Sequence, residues 1–168
     1  NIGYIEGAGD AVPESLRQIG YNVVIIKPED ISPEVLSRFD AIVVGVRAYN
    51  TVDALKFKQQ QLFSFVSNGG NLIVQYNTNF RLNVDELAPY NLKISRDRVT
   101  EEHTEVHFLN PQHPILNYPN RITQKDFEGW TQERGLYFPD QWGTEFTPIL
   151  SMNDKGETPK EGSLLVIF

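Results

Sequence analysis

The run from Asp40 to Asn50, DAIVVGVRAYN, constrains this chain more than any other segment. Ala41 to Val46 is apolar throughout except for Gly45. A strand that is apolar at successive positions has both faces covered, as in a parallel sheet held between helical layers. Open sheets of that kind place their chemistry in the residues just past the strand ends. Here those residues are Val46, Arg47, Ala48, Tyr49 and Asn50, in a chain of 168 residues without cysteine. A thiolate nucleophile, a thiolate metal site and a disulfide are therefore excluded from this sequence.

The segments around that run alternate in the same sense. Ile2 to Glu6 reads as a short strand, Gly7-Ala8-Gly9-Asp10 as a turn, and Val12 to Ile19 as a helix capped by Asp10 with Pro13 in its first turn. Tyr21 to Ile26 reads as a second strand. Ser32 caps a short helix that opens on Pro33 and runs to Phe39. After the third strand, Asp53 is expected to cap a helix to Ser67, ended by Asn68-Gly69-Gly70. Asn71 to Tyr76 reads as a fourth strand. Strands separated by helices predict βαβ units and a parallel sheet, so the fold class is α/β, flavodoxin-like, with three α/β/α layers.

Beyond Asn77 the chain is rich in Pro, Asn, aromatic and charged residues. Val106 to Leu109 reads as a short strand, and His113 as a turn residue that bonds backbone. Thr147 to Met152 and Ser163 to Phe168 predict a hairpin joined by the polar turn Asn153 to Glu161. The length suits a single domain over residues 1–168. The abrupt apolar ends, at Ile2 and at Phe168, read as a domain cut from a longer chain.

The formal net charge of −7 and a pI near 4.9 disfavour nucleic acid, which needs a basic face. No apolar run approaches the ~20 residues of a membrane-spanning helix, so membrane insertion is not expected.

Several groups of residues invite chemistry. Glu6 and Arg47 close neighbouring strands at the topological switch point, where they form either a structural ion pair or a site for a sugar or carboxylate, with Arg47 as a forked donor. Gly7-Ala8-Gly9-Asp10 has the glycines of a phosphate turn but not the third glycine of a dinucleotide fingerprint, and Asp10 would repel phosphate while suiting hydroxyls. Tyr49, Asn50, Asn77, Thr78 and Asn79 offer polar groups to a neutral polyol, or simply cap their own loops. His103 and His107 stand among Glu101, Glu102 and Glu105, but the segment reads as a solvated acidic loop, and neither metal nor cofactor is expected. Phe127, Trp130, Tyr137, Phe138 and Trp142 form either a satellite aromatic cluster or, with Glu128, Glu133 and Arg134, a carbohydrate groove.

Taken together, Gly3-Tyr4-Ile5, Gly7-Ala8-Gly9-Asp10, the Asp40–Asn50 run and Asn68-Gly69-Gly70 before Leu72-Ile73-Val74 resemble a class I glutamine amidotransferase-like domain. His113-Pro114-Ile115-Leu116 resembles an element of its trehalose-utilisation (ThuA-like) branch. The whole chain is similar to the C-terminal domain attached to PIG-L (LmbE-like) deacetylases of Bacteroidetes-type bacteria, most specifically at Lys125 to Trp130, Gln132 to Gly135 and Leu150 to Asp154. That resemblance implies a further strand and a closing helix after Phe168. It also implies an N-terminal zinc-dependent deacetylase domain acting on N-acetylated sugars as the partner in the parent chain, and a bacterial periplasmic or secreted location. In catalytic members of the fold a cysteine stands on the turn after the third strand, and this chain has none.

The reading of function is thus a non-catalytic accessory or carbohydrate-binding domain, with Glu6, Asp10, Arg47, Tyr49, Asn50, Asn77, Glu128, Trp130 and Arg134 as ligand-binding residues. The alternative is a glycan-directed hydrolase using Glu6, Glu128 and Glu133 with Arg47. A further possibility is self-association through an open sheet edge.

Overall fold

The computed structural model describes residues 1–167. Backbone contacts divide the chain into two compact units, Asn1–Pro89 and Tyr90–Phe168.

Unit 1 holds the parallel sheet. Its strands are β1 (Ile2–Ile5), β2 (Val23–Ile25), β3 (Ala41–Val44) and β4 (Asn71–Val74), in the order β2-β1-β3-β4. All three pairings are parallel, with Ile5 opposite Val44 and Val44 opposite Val74. The helices are α1 (Val12–Gln18), α2 (Pro33–Leu36), α3 (Ala48–Thr51) and α4 (Gln59–Ser67). The order places β1 between β2 and β3, which makes the C-terminal ends of β1 and β3 the switch point of the sheet.

Successive strand residues face opposite sides, and the core divides accordingly. Tyr4, Val23 and Val43 pack with Val12 and Leu16 of α1. Ile5, Ile42 and Val44 pack on the other side with Leu36 of α2 and Leu62 of α4. This is the α/β/α layering expected from the sequence, and the fold class stands as read.

Side-chain capping sets one helix start of unit 1. The Ser32 hydroxyl accepts from the Val35 amide at 3.3 Å, as its capping role requires. The expected Asp10 cap of α1 is corrected: Ala11 holds the cap position without a side-chain bond, and Asp10 Oδ1 accepts from the Val12 amide at 2.8 Å from one residue further back. The expected Asp53-capped helix is corrected. The chain coils into α3 directly after β3, then runs as a 3-10 segment over Asp53–Phe57 before α4. Val52 breaks the helix with extended backbone (φ −116°, ψ 91°), and Asp53 makes no capping bond. That break lets Leu55 reach the core, where it is fully buried.

Unit 2 is built from short antiparallel pieces: β5 (Leu92–Ile94), β6 (Arg98–Val99), β7 (His107–Phe108), α5 (Pro114–Asn117), β8 (Gly135–Leu136), β9 (Pro139–Trp142), β10 (Thr147–Met152) and β11 (Lys160–Val166). β5 pairs with β9 and β6 with β8, while β11, β10 and β7 form a three-stranded sheet. The expected hairpin is β10 with β11, antiparallel and bulged near Leu150. Its second strand starts earlier than expected, at Lys160, and the expected end at Phe168 lies outside the described residues. The core of this unit gathers Val99, Val106, Leu116, Phe138, Ile149, Leu150 and Met152. His113 is buried, and its Nδ1 accepts from the Ile115 amide at 3.2 Å, the backbone-bonding role read from the sequence. Among the described residues no helix is long and apolar enough to cross a membrane.

Candidate functional site

The switch point in unit 1 is built by two turns packed backbone to backbone. Gly7 follows β1, and a Cβ there would lie 2.2 Å from the Val46 carbonyl oxygen and 2.6 Å from the Ala48 nitrogen. Only glycine permits that approach. The Ala8 amide donates to the same Val46 carbonyl at 2.8 Å. Gly45 is less tight but still close against the Ile5 carbonyl and the Tyr4 hydroxyl, each 2.9 Å from where a Cβ would stand.

On the turn after β3 stands Arg47, in the left-handed backbone region (φ 56°, ψ 22°). Non-glycine residues visit that region rarely, and such strain gathers at functional turns. Its amide donates to the Tyr76 carbonyl at 2.9 Å, which ties the turn to the chain following β4. Its carbonyl accepts from the Asn50 and Thr51 amides and opens α3. The side chain is half-buried, and its Nε is shielded from solvent without a hydrogen-bond partner. Among the described residues no ion pair or hydrogen bond engages the guanidinium. Glu6 is exposed at the mouth of β1 and forms no ion pair with Arg47, so the paired reading of these two residues is not what the structure shows.

Beneath the turns runs a polar network that sequence reasoning missed. The fully buried Tyr4 donates its hydroxyl to Asp10 Oδ2 at 2.6 Å and accepts from Gln75 Nε2 at 3.0 Å. Asp10 Oδ2 also receives the Val46 amide at 3.4 Å. Burial, then the hydrogen bond and the charge of Asp10, push the Tyr4 hydroxyl far above its ordinary ionisation range. The signal was available: a tyrosine inside an apolar strand must find a partner for its hydroxyl.

The other polar residues of the region are committed to the protein itself. Asn77 is buried, accepting from the Tyr49 amide at 3.1 Å and donating to the Gln75 carbonyl at 3.0 Å. Asn50 Nδ2 donates to the carbonyls of Thr78 and Phe80, both at 3.1 Å, and its Oδ1 accepts from the Thr78 amide at 2.9 Å. These bonds shape the 77–83 loop. Tyr49 lies in the core, its hydroxyl pushed up to about 12 by burial, with the Gln59 side chain as polar neighbour but no hydrogen bond of normal geometry. Of the residues expected to bind ligand here, Glu6 and Arg47 remain with groups available, whereas Asp10, Tyr49, Asn50 and Asn77 serve the fold.

In unit 2, Glu128 and Arg134 line one groove of ≈ 360 Å³ with His103, Thr104, Glu105 and Phe127. Arg134 holds its walls together: Nε donates to the Thr104 carbonyl at 3.2 Å and Nη1 to the Phe127 carbonyl at 2.8 Å. Its guanidinium lies 5.5 Å from the centre of the Trp130 ring. Trp130 is half-exposed, packs against Phe127 with ring centres 5.3 Å apart, and donates Nε1 to the Asp126 carbonyl. Of the expected aromatic set, Phe127 lines the groove and Trp130 packs against Phe127, whereas Phe138 lies in the core of the unit and Trp142 in β9. Glu133 is exposed and does not line the groove, so the carboxylate partner of Glu128 there is Glu105. Among the described residues no group of three or more His, Cys, Asp or Glu side chains is placed to hold a metal ion.

The fold is that of the class I glutamine amidotransferase-like, flavodoxin-type domains. The chain is similar to the crystal structure of a candidate GMP synthase component from Thermoplasma acidophilum, with a TM-score of 0.50 and 12% identity over 92% of this chain and 78% of that one. No family model matches the chain, and no curated protein matches it.

Proposed function

We propose that this chain is a non-catalytic, carbohydrate-recognising accessory domain built on the amidotransferase-like fold. The observation that carries the reading is Arg47. It stands in strained left-handed backbone on the turn after β3, where catalytic members of the fold place cysteine, in a sequence that has no cysteine. The side chain best presented for ligand there is a donor, not a nucleophile.

The groove in unit 2 supplies the carbohydrate side of the proposal. Arg134 and two carboxylates, Glu105 and Glu128, line it, and the half-exposed indole of Trp130 packs beside it on Phe127 and Arg134, so a ring face and charged hydrogen-bonding groups stand together, the combination that recognises a polyhydroxylated ring. The resemblance of the 125–135 segment to domains attached to PIG-L (LmbE-like) deacetylases, and of His113–Leu116 to the ThuA-like branch, supports a place beside a sugar deacetylase in a longer bacterial chain. In that setting the domain would hold the glycan on which its neighbour acts.

A glycan screen on this chain tests the reading. Saturable binding is expected, weakened about tenfold or more in Glu128→Ala and Trp130→Ala, which corresponds to the loss of one charged hydrogen bond or one stacking face. Absence of binding across neutral and acidic glycans would overturn it. The hydrolase alternative rests on Glu105 and Glu128 sharing the groove, and cleavage of a bound glycan would favour it.

A further inference from the structure

We infer that Arg47 anchors a second binding site, at the C-terminal ends of β1 and β3, for the carboxylate of a small polar molecule such as a sugar acid. Three observations converge. First, the backbone at Arg47 is held in the left-handed region although the residue is not glycine, and its neighbours enforce it: the Arg47 amide is bound by the Tyr76 carbonyl and its carbonyl by the Asn50 and Thr51 amides. A strained position retained with a long charged side chain points to a use for that side chain. Second, Nε is occluded without a partner, and no carboxylate of this acidic chain pairs with the guanidinium among the described residues. A half-buried guanidinium left without an anion is the complement of an anion supplied from outside. Third, the turn after β1, whose Ala8 amide binds the Val46 carbonyl next to Arg47, presents exposed Ala8 and Gly9, and a Cβ at Gly9 would meet no atom within 4 Å.

The same surroundings select the anion. Glu6 is exposed beside the turn, and the Asp10 carboxylate lies just beneath it, bonded to Tyr4. A phosphate dianion would meet both negative charges, and among the described residues the helices that start nearest the site, α1 and α3, have only 7 and 4 residues to offset them. A planar monoanionic carboxylate matches the forked end of the guanidinium at half the repulsion. Glu6, as an acceptor, suits hydroxyl groups on the same molecule. The ligand class is therefore a hydroxylated carboxylate. The site lies wholly in unit 1 and does not depend on the groove in unit 2.

The test is a titration of the isotope-labelled chain followed through its amide resonances, with glucuronate, glucose and inorganic phosphate at constant ionic strength. Saturable shifts at Gly7, Ala8, Gly9 and Arg47 are expected with glucuronate and not with glucose. Arg47→Gly, which suits the left-handed backbone and keeps the fold, should abolish them, and Arg47→Lys should weaken binding by about tenfold because the fork is lost. Glu128→Ala should leave these shifts unchanged, whether or not the groove binds glycans. Phosphate binding as tight as glucuronate, equal response to glucose, or shifts that persist in Arg47→Gly would each overturn the assignment.

Discussion

Tyr4 donates its buried hydroxyl to Asp10 Oδ2 at 2.6 Å, and through that bond the middle of β1 sets the turn on which Arg47 stands. Asp10 in turn receives the Val46 amide, one residue before Arg47, while Gln75 donates to Tyr4 from the chain after β4. One phenol thus joins three neighbouring strand ends. Tyr4→Phe leaves Asp10 and Gln75 without this partner in a partly buried site, and the expected cost is about 1.5 kcal/mol in denaturant unfolding. An unchanged midpoint would show that water replaces the hydroxyl freely.

Tyr49 makes the opposite prediction. Its hydroxyl is buried without a hydrogen bond of normal geometry, so Tyr49→Phe removes a desolvated polar group and is expected to be neutral or to stabilise by up to about 1 kcal/mol. The two substitutions together distinguish a phenol used for its hydroxyl from one used for its ring.

Both phenols have raised ionisation ranges, Tyr49 to about 12 and Tyr4 beyond it. A raised value in the folded state means that the folded protein holds its proton where the unfolded chain releases it. Their contribution is complete below the ordinary value of 10.0 and is lost as pH rises from there through the folded values. Stability measured between neutral pH and about 12 should therefore begin to fall near 10, and the fall should be shallower in Tyr49→Phe.

Arg47→Gly tests the strain directly. Glycine accepts φ 56° without penalty, so the expected change is a gain of about 1 kcal/mol, offset in part by the greater freedom of glycine in the unfolded chain. A loss above that size would mean that the arginine side chain is itself part of the packing.

Asp154 governs unit 2 at low pH. Burial acts to raise its carboxyl, but the Glu101 and Thr100 amides and the Thr100 hydroxyl bond to it and hold it below its ordinary 3.8. A lowered folded value gives stability that is present above the unfolded value and lost as pH falls through the folded one. Asp154→Ala is expected to cost about 1 kcal/mol at neutral pH, with the difference from wild type shrinking below about pH 4.

The sheet was legible because its strands are apolar on both faces and their helices carry Ser32, Pro13 and Pro33 where helices start. The helix after β3 was misread because Asp53 looks like a cap, whereas the turn at Arg47 begins a helix at once and Val52 interrupts it. The positive φ of Arg47 has no sequence signature, since glycine would be the expected residue. Asn50 and Asn77 looked available for a ligand because their partners, the carbonyls and amides of the 77–83 loop and of the Tyr49 turn, are set by tertiary structure. The groove residues were recognisable by type, but their joint placement depends on Arg134 bonding the carbonyls of Thr104 and Phe127, which are distant in sequence.

The most direct measurement of the central claim is a binding titration with the strongest glycan from the screen, after which the glycan is recovered and weighed by mass spectrometry, with glutamine present and ammonia release monitored. The account predicts saturable binding, glycan recovered intact and no ammonia above the uncatalysed rate. Cleaved glycan, enzymatic ammonia release, or no binding at all would contradict it.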